Sequence, residues 1–127
     1  MANIFLSYSH KDKEFVQIFN EALKQSNHNI WVDWIYIQEF TDWWEAVKAG
    51  IEATDTFIFI ITPTSIISEV CNQEIEYAAK YNKKIIPIVL REIFDKQQAH
   101  PALLKQKWLV LGEDNDILST IKSISKD

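Results

Sequence analysis

The sequence predicts an α/β fold in which a five-stranded parallel sheet carries helices on both faces, and three observations lead there. Short unbroken apolar runs recur along the chain at Ile4 to Ser7, Ile30 to Trp34, Phe57 to Ile61, Lys84 to Leu90 and Trp108 to Leu111. Runs of this kind, without polar alternation, read as strands buried on both faces. Between them lie segments whose apolar residues recur at helical spacing. The alternation of the two is continuous, which implies right-handed crossovers and one doubly wound sheet. Five strands so connected commonly take the order 2-1-3-4-5, the flavodoxin-like three-layer sandwich, with a topological switch between the first and third strands.

Each element has its own justification. After the first strand, Tyr8-Ser9-His10 is a polar break, and Ser9 with Asp12 three residues on resembles a capping box. Phe15, Ile18, Phe19, Ala22 and Leu23 then give a helix from about Lys11 to Gln25. Asn27-His28-Asn29 is a turn into the second strand. The loop from Ile35 to Phe40 carries Ile35, Tyr36, Ile37 and Phe40 with no Gly or Pro to shape it. Thr41 can cap a helix along which Trp43, Val47, Ile51 and Thr54 share a side, and Asp55 closes it. Pro63 ends the central strand, with Ser65 and Ser68 as candidate caps for a helix striped by Cys71, Ile75 and Ala78. Pro87 lies inside the fourth strand, where a missing donor suits an edge or an irregular point. Arg91 to Gln98 is a polar connection, His100-Pro101 a break, and Gly112 ends the last strand. Ile117, Leu118, Ile121 and Ile124 make a final amphipathic helix. The chain stops inside that helix, which fits a single domain, residues 1–127, cut from a longer protein.

Composition sets bounds on function. At 47% hydrophobic and 24% charged the chain is globular. Its net charge of −5, with 13 scattered basic residues, offers no footprint for nucleic acid or an anionic membrane. A single cysteine excludes an internal disulfide and suits a reducing compartment, and no apolar run reaches the roughly 18 residues of a bilayer span. A cytoplasmic location follows as the expectation. The only glycines, Gly50 and Gly112, make no phosphate cradle. His10, His28 and His100 have no metal-ligand spacing with one another or with Cys71. A phospho-receiver would need acids where the first strand ends, and the chain has Ser7, Tyr8, Ser9 and His10 there. Cys71 lies on an apolar stripe and lacks a base, so it reads as core and not as a nucleophile.

One carboxylate stands apart. At about 100° per residue, Glu69 and Glu76 point more than roughly 120° from the apolar stripe, whereas Glu74 lies only about 70° from its centre. Ligands of doubly wound sheets bind beyond the carboxyl ends of strands at the switch point. Here that means the loops Ser7 to His10 and Thr62 to Ser68, and Glu74 sits on the helix leaving the second. The bland alternative is a boundary residue whose carboxylate reaches water.

IFLSYSHKD at 4–12, VDWIYIQEFTDWWEAVKAGIEATD at 32–55, SEVCNQEIEYA at 68–78 and KIIPIVL at 84–90 together resemble a Toll/interleukin-1 receptor (TIR) domain of the bacterial kind. The similarity is carried by F-L-S-Y-S, by the W-x-x-x-V-x-x-x-I-x-x-x-D run from Trp43 to Asp55, and by S-x-x-C-x-x-E from Ser68 to Glu74. In enzymatic members the glutamate of the last motif is catalytic, so the resemblance implies Glu74 as catalytic residue. It also implies cleavage of the nicotinamide–ribose bond of NAD+, giving nicotinamide and ADP-ribose or a cyclic ADP-ribose. NAD+ is then substrate, with no cofactor and no metal. Ordinary glycosidases use two carboxylates because the leaving oxygen must be protonated. Nicotinamide leaves a cationic state as a neutral molecule, so one acid suffices to orient the ribose and stabilise the oxocarbenium-like transition state. Ser7, Tyr8, Trp34, Tyr36 and Ser68 are the implied substrate-binding positions.

Two positions depart from the family's pattern. Glu39 and Phe40 stand where Pro-Gly is usual, which makes Phe40 an exposed anchor, and Val70 replaces an aromatic residue common four positions before the glutamate. The resemblance further implies an effector of bacterial antiviral defence or cell death, activated by self-association into a homo-oligomer or filament. The alternative is a scaffold without catalysis, signalling through TIR to TIR contacts made by the loop Ile35, Tyr36, Ile37 and Phe40.

Overall fold

The computed structural model describes residues 3–32, 43–90 and 98–110. In chain order the elements are β1 (Asn3–Ser7), α1 (Lys13–Gln25), β2 (Asn29–Val32), α2 (Trp43–Ala53), β3 (Thr56–Ile61), α3 (Glu69–Lys80), β4 (Lys84–Val89), α4 (Pro101–Leu104) and β5 (Leu109–Val110). All strand pairs are parallel, and the sheet order is β2-β1-β3-β4-β5. The predicted order and its switch between β1 and β3 are therefore the observed ones. Among the described residues no helix is long and apolar enough to cross a membrane.

Strand parity divides the core into two layers. Phe5, Phe57, Phe59 and Ile61 point to the side covered by α2 and α3, where they pack with Val47, Ile51, Cys71, Ile75 and Ala78. Ile4, Leu6, Ile58 and Ile60 point to the other side and pack on Val16, Phe19 and Leu23 of α1. Every residue of β3 is buried because it has a strand on each side and a helix layer on each face. Burying each such side chain contributes roughly 1.5–3 kcal/mol, so the central strand is the main source of cohesion for both layers.

The helix ends are built from local chemistry. Asn27 and Asn82 take positive φ, 67° and 57°, just past α1 and α3. The His28 amide donates back to the Leu23 carbonyl and the Lys83 amide to the Ala78 carbonyl, five residues earlier in each case. This is the left-handed helix stop, filled by asparagine where glycine is commoner. It turns the chain tightly from α1 into β2 and from α3 into β4.

Several predicted details are adjusted. The first helix begins at Lys13, after a one-turn 3-10 segment His10–Asp12 whose Lys11 amide donates to Ser9 Oγ. Asp12, at the N-cap position of α1, makes no side-chain capping bond there. Of the two serines offered as caps for α3 only Ser68 serves, accepting the Cys71 amide at 3.2 Å. Ser65 instead stabilises the turn itself. Pro87 is in β4, which is not an edge strand. It is tolerated because the β4–β5 pairing begins one residue later, at Ile88 and Leu109. The loop 35–40, the Thr41 cap, most of the 91–98 connection and the last helix fall outside the described residues.

Candidate functional site

β1 ends at Ser7 and α3 passes over it. Because Phe5 and Ser7 share a parity, the Ser7 side chain leaves the sheet on the α3 side. Glu74, in the second turn of α3, meets it there. The Ser7 hydroxyl donates to Glu74 Oε1 at 2.7 Å, with Ser7 1% and Glu74 6% exposed. That is an ordinary length for an O–H···O hydrogen bond, whose mode is about 2.7–2.8 Å. The boundary angle of about 70° read from the sequence thus becomes a buried acid, not a solvated one.

Cys71, one turn before Glu74, places Sγ 3.5 Å from the Tyr8 carbonyl. Burial, and then the nearby charge of Glu74, push its thiol up to about 12. It is a neutral, packed thiol at physiological pH and has no nucleophilic character. Tyr8 itself is 4% exposed, stacks on His10 at 5.3 Å and packs in the α1-side core. Ser68 is the α3 cap already described, half-buried at the helix start. Trp34 and Tyr36 lie outside the described residues.

A hydrogen-bonded turn fixes the other wall. Thr62, directly after β3, accepts the Ser65 amide on Oγ1 at 3.1 Å and donates its hydroxyl to Asp12 Oδ2 at 2.8 Å. Ser65 Oγ accepts the Thr62 amide at 2.9 Å and donates to the Ile60 carbonyl at 2.7 Å. Asp12, Thr62 and Ser65 are all buried. Sequence reading missed this cluster, since it paired Asp12 with Ser9 in a capping box and took Ser65 as a candidate helix cap. The available signal was a hydroxyl residue immediately after a fully apolar strand, where a buried polar group requires a partner.

A separate groove of about 430 Å³ runs between α2 and α3, lined by Trp44, Gln73, Glu76, Tyr77 and Lys80. Glu74 is not among its walls. The Tyr77 hydroxyl donates to Glu52 there, and that bond is the first cause raising its pKa. Among the described residues no three His, Cys, Asp or Glu side chains converge as a metal site.

A family model described as TIR domain matches residues 4–121. No match was found among curated protein sequences. Among solved structures the chain is similar to the TIR domain of a Toll-related receptor from Hydra magnipapillata, at 15% identity and a TM-score of 0.76, over 100% of this chain and 98% of that one. It is also similar to a prokaryotic SEFIR domain, at 18% identity and 0.70, over 99% and 97%. A third is the CMP N-glycosidase BcmB of Clostridium botulinum, at 15% and 0.63, over 97% and 98%. Identities this low carry the fold alone. With nearly the whole sequence matched by the family model, the chain belongs to the TIR domain family.

Proposed function

We propose that this chain is a TIR-domain NAD+ nucleosidase of the bacterial type, cleaving the nicotinamide–ribose bond to nicotinamide and ADP-ribose or a cyclic ADP-ribose. The observation that supports it is the buried Glu74 carboxylate, held at 2.7 Å by the Ser7 hydroxyl at the sheet's switch point. A carboxylate fixed in a partly desolvated site stabilises positive charge developing on ribose more strongly than one free in water. With a neutral leaving group, no second acid is needed. Ser7 contacts Glu74 directly, so its role in this reading is to orient the carboxylate more than to bind substrate. A protein of this fold described as a CMP N-glycosidase lends the reading support, because that name too denotes N-glycosidic cleavage. In this reading the protein works in the cytoplasm as a defence or cell-death effector, and its assembly with other TIR domains completes the site.

The test is chromatography of NAD+ incubated with protein forced to cluster. Nicotinamide release is expected from the wild type. Glu74→Gln, nearly isosteric, should lower turnover by about a thousandfold, the scale of losing one electrostatic stabiliser of the transition state. Ser7→Ala should lower it about tenfold, equivalent to roughly 1.4 kcal/mol of transition-state stabilisation. Undiminished turnover by Glu74→Gln overturns the proposal. Self-association without nicotinamide release, in the wild type and Glu74→Gln alike, is the signature of the scaffold reading.

A further inference from the structure

The sheet register ties β1 to β3 only as far as Ser7 and Phe59. Beyond that pair the two chains diverge, one into the 3-10 turn and α1, the other into the turn that leads to α3. Yet the contact between Ser7 and Glu74 joins residues 67 positions apart across this gap. A hydroxyl–carboxylate bond is sensitive to separation on a scale of tenths of an ångström, so the gap itself must be fixed.

A continuous chain of hydrogen bonds spans it. Asp12 Oδ2 accepts from Thr62 Oγ1, and Thr62 and Ser65 exchange side-chain and backbone bonds. The Ser68 amide donates to the Ser65 carbonyl at 3.1 Å, and Ser68 Oγ then caps α3 by accepting the Cys71 amide. Glu74 follows three residues later on the same helix. Asp12 occupies the N-cap of α1, where an aspartate ordinarily stabilises its own helix by about 1 kcal/mol. Here that carboxylate makes no side-chain cap and reaches across 50 residues to Thr62 instead. It is 6% exposed, and a buried carboxylate is retained only where it is hydrogen-bonded.

We infer that Asp12 and Thr62 are positioning residues for Glu74: their bond clamps the turn leaving β3 to the start of α1, and so sets α3 at the height that brings the Glu74 carboxylate onto Ser7. The inference rests on the NAD+ reading for its catalytic consequence, though the clamp can be read without it. Neither residue touches the reacting atoms. Both act through the placement of α3.

The experiment compares Thr62→Val, which removes the hydroxyl at nearly constant shape, with Thr62→Ser, which keeps it. Leu103→Ala, on α4 and with no side-chain part in this chain of hydrogen bonds, serves as a control for lost stability. With clustered protein and NAD+, and turnover normalised to the folded fraction, Thr62→Val should lower kcat about tenfold with KM within about twofold. Thr62→Ser should stay near wild type. The second readout uses Cys71, whose thiol lies in the same gap beside the Tyr8 carbonyl. Labelling by an aromatic disulfide reagent at pH 8 should run about tenfold faster in Thr62→Val than its global stability predicts. Leu103→Ala should follow its stability alone. If the wild type releases no nicotinamide, the proposed function falls and labelling still decides the clamp. Thr62→Val matching the control in labelling, or matching wild type in kcat, overturns the inference.

Discussion

At the scale of single residues, the same burial gives different results according to partner. Glu74 and Asp12 are both 6% exposed and both accept a hydroxyl, from Ser7 and from Thr62. Cys71 between them is driven to a neutral thiol. His28 is buried at the turn out of α1, and burial is the first cause holding its imidazole below the ordinary value of 6.5, against an opposing pull from Asp55. The sign follows directly. The unfolded chain takes up a proton at His28 near pH 6.5 while the folded chain resists it, so stability falls as pH drops below that value. Urea midpoints measured at pH 7.5 and 5.5 should fall less in His28→Gln than in the wild type. An unchanged pH dependence in the variant would assign the loss to other groups.

At the scale of elements, the packing of α2 on the sheet depends on one missing side chain. Trp31, Phe5 and Phe57 lie in register on β2, β1 and β3, with ring centroids 4.8 Å and 5.4 Å apart. Trp31 also packs against Gly50 of α2, where a Cβ would come within 2.5 Å of the indole. Alanine in a helix interior is favoured over glycine by about 1 kcal/mol. Overpacking against a stacked ring costs about 1–3 kcal/mol, so the steric term wins. Gly50→Ala should therefore lower the melting temperature, and combining it with Trp31→Leu should cost less than the sum of the two single changes. Strict additivity in that double-mutant cycle would mean that Trp31 is not what Gly50 accommodates.

At the scale of the whole molecule, β3 is shared by both core layers. Ile58 faces α1 and Phe59 faces α2 and α3. Ile58→Ala and Phe59→Ala should each destabilise by about 2–5 kcal/mol, and both should unfold in one cooperative urea transition seen alike by fluorescence and circular dichroism. Two separate transitions in either variant would show the layers to be independent. The same strand sets the site, since its exit and that of β1 form the two walls between which Glu74 is held.

Much of this was legible before any coordinates. Unbroken apolar runs need burial on both faces, so they announce a parallel sheet. Their alternation with helical stripes constrains the connections, and the sheet order expected was the common one for five strands so joined. Helical angle alone brought Glu74 to the edge of the packed face. Only tertiary structure decided what each polar group met there. A hydroxyl at the end of a strand has an equally plausible local partner, and sequence reading assigned Asp12 and Ser65 to nearby helix ends for that reason. Register and crossover instead set Ser7 beneath Glu74 and Thr62 beside Asp12. Such long-range bonds have no periodicity to betray them, because they depend on how separate elements stack and not on the repeat within any one.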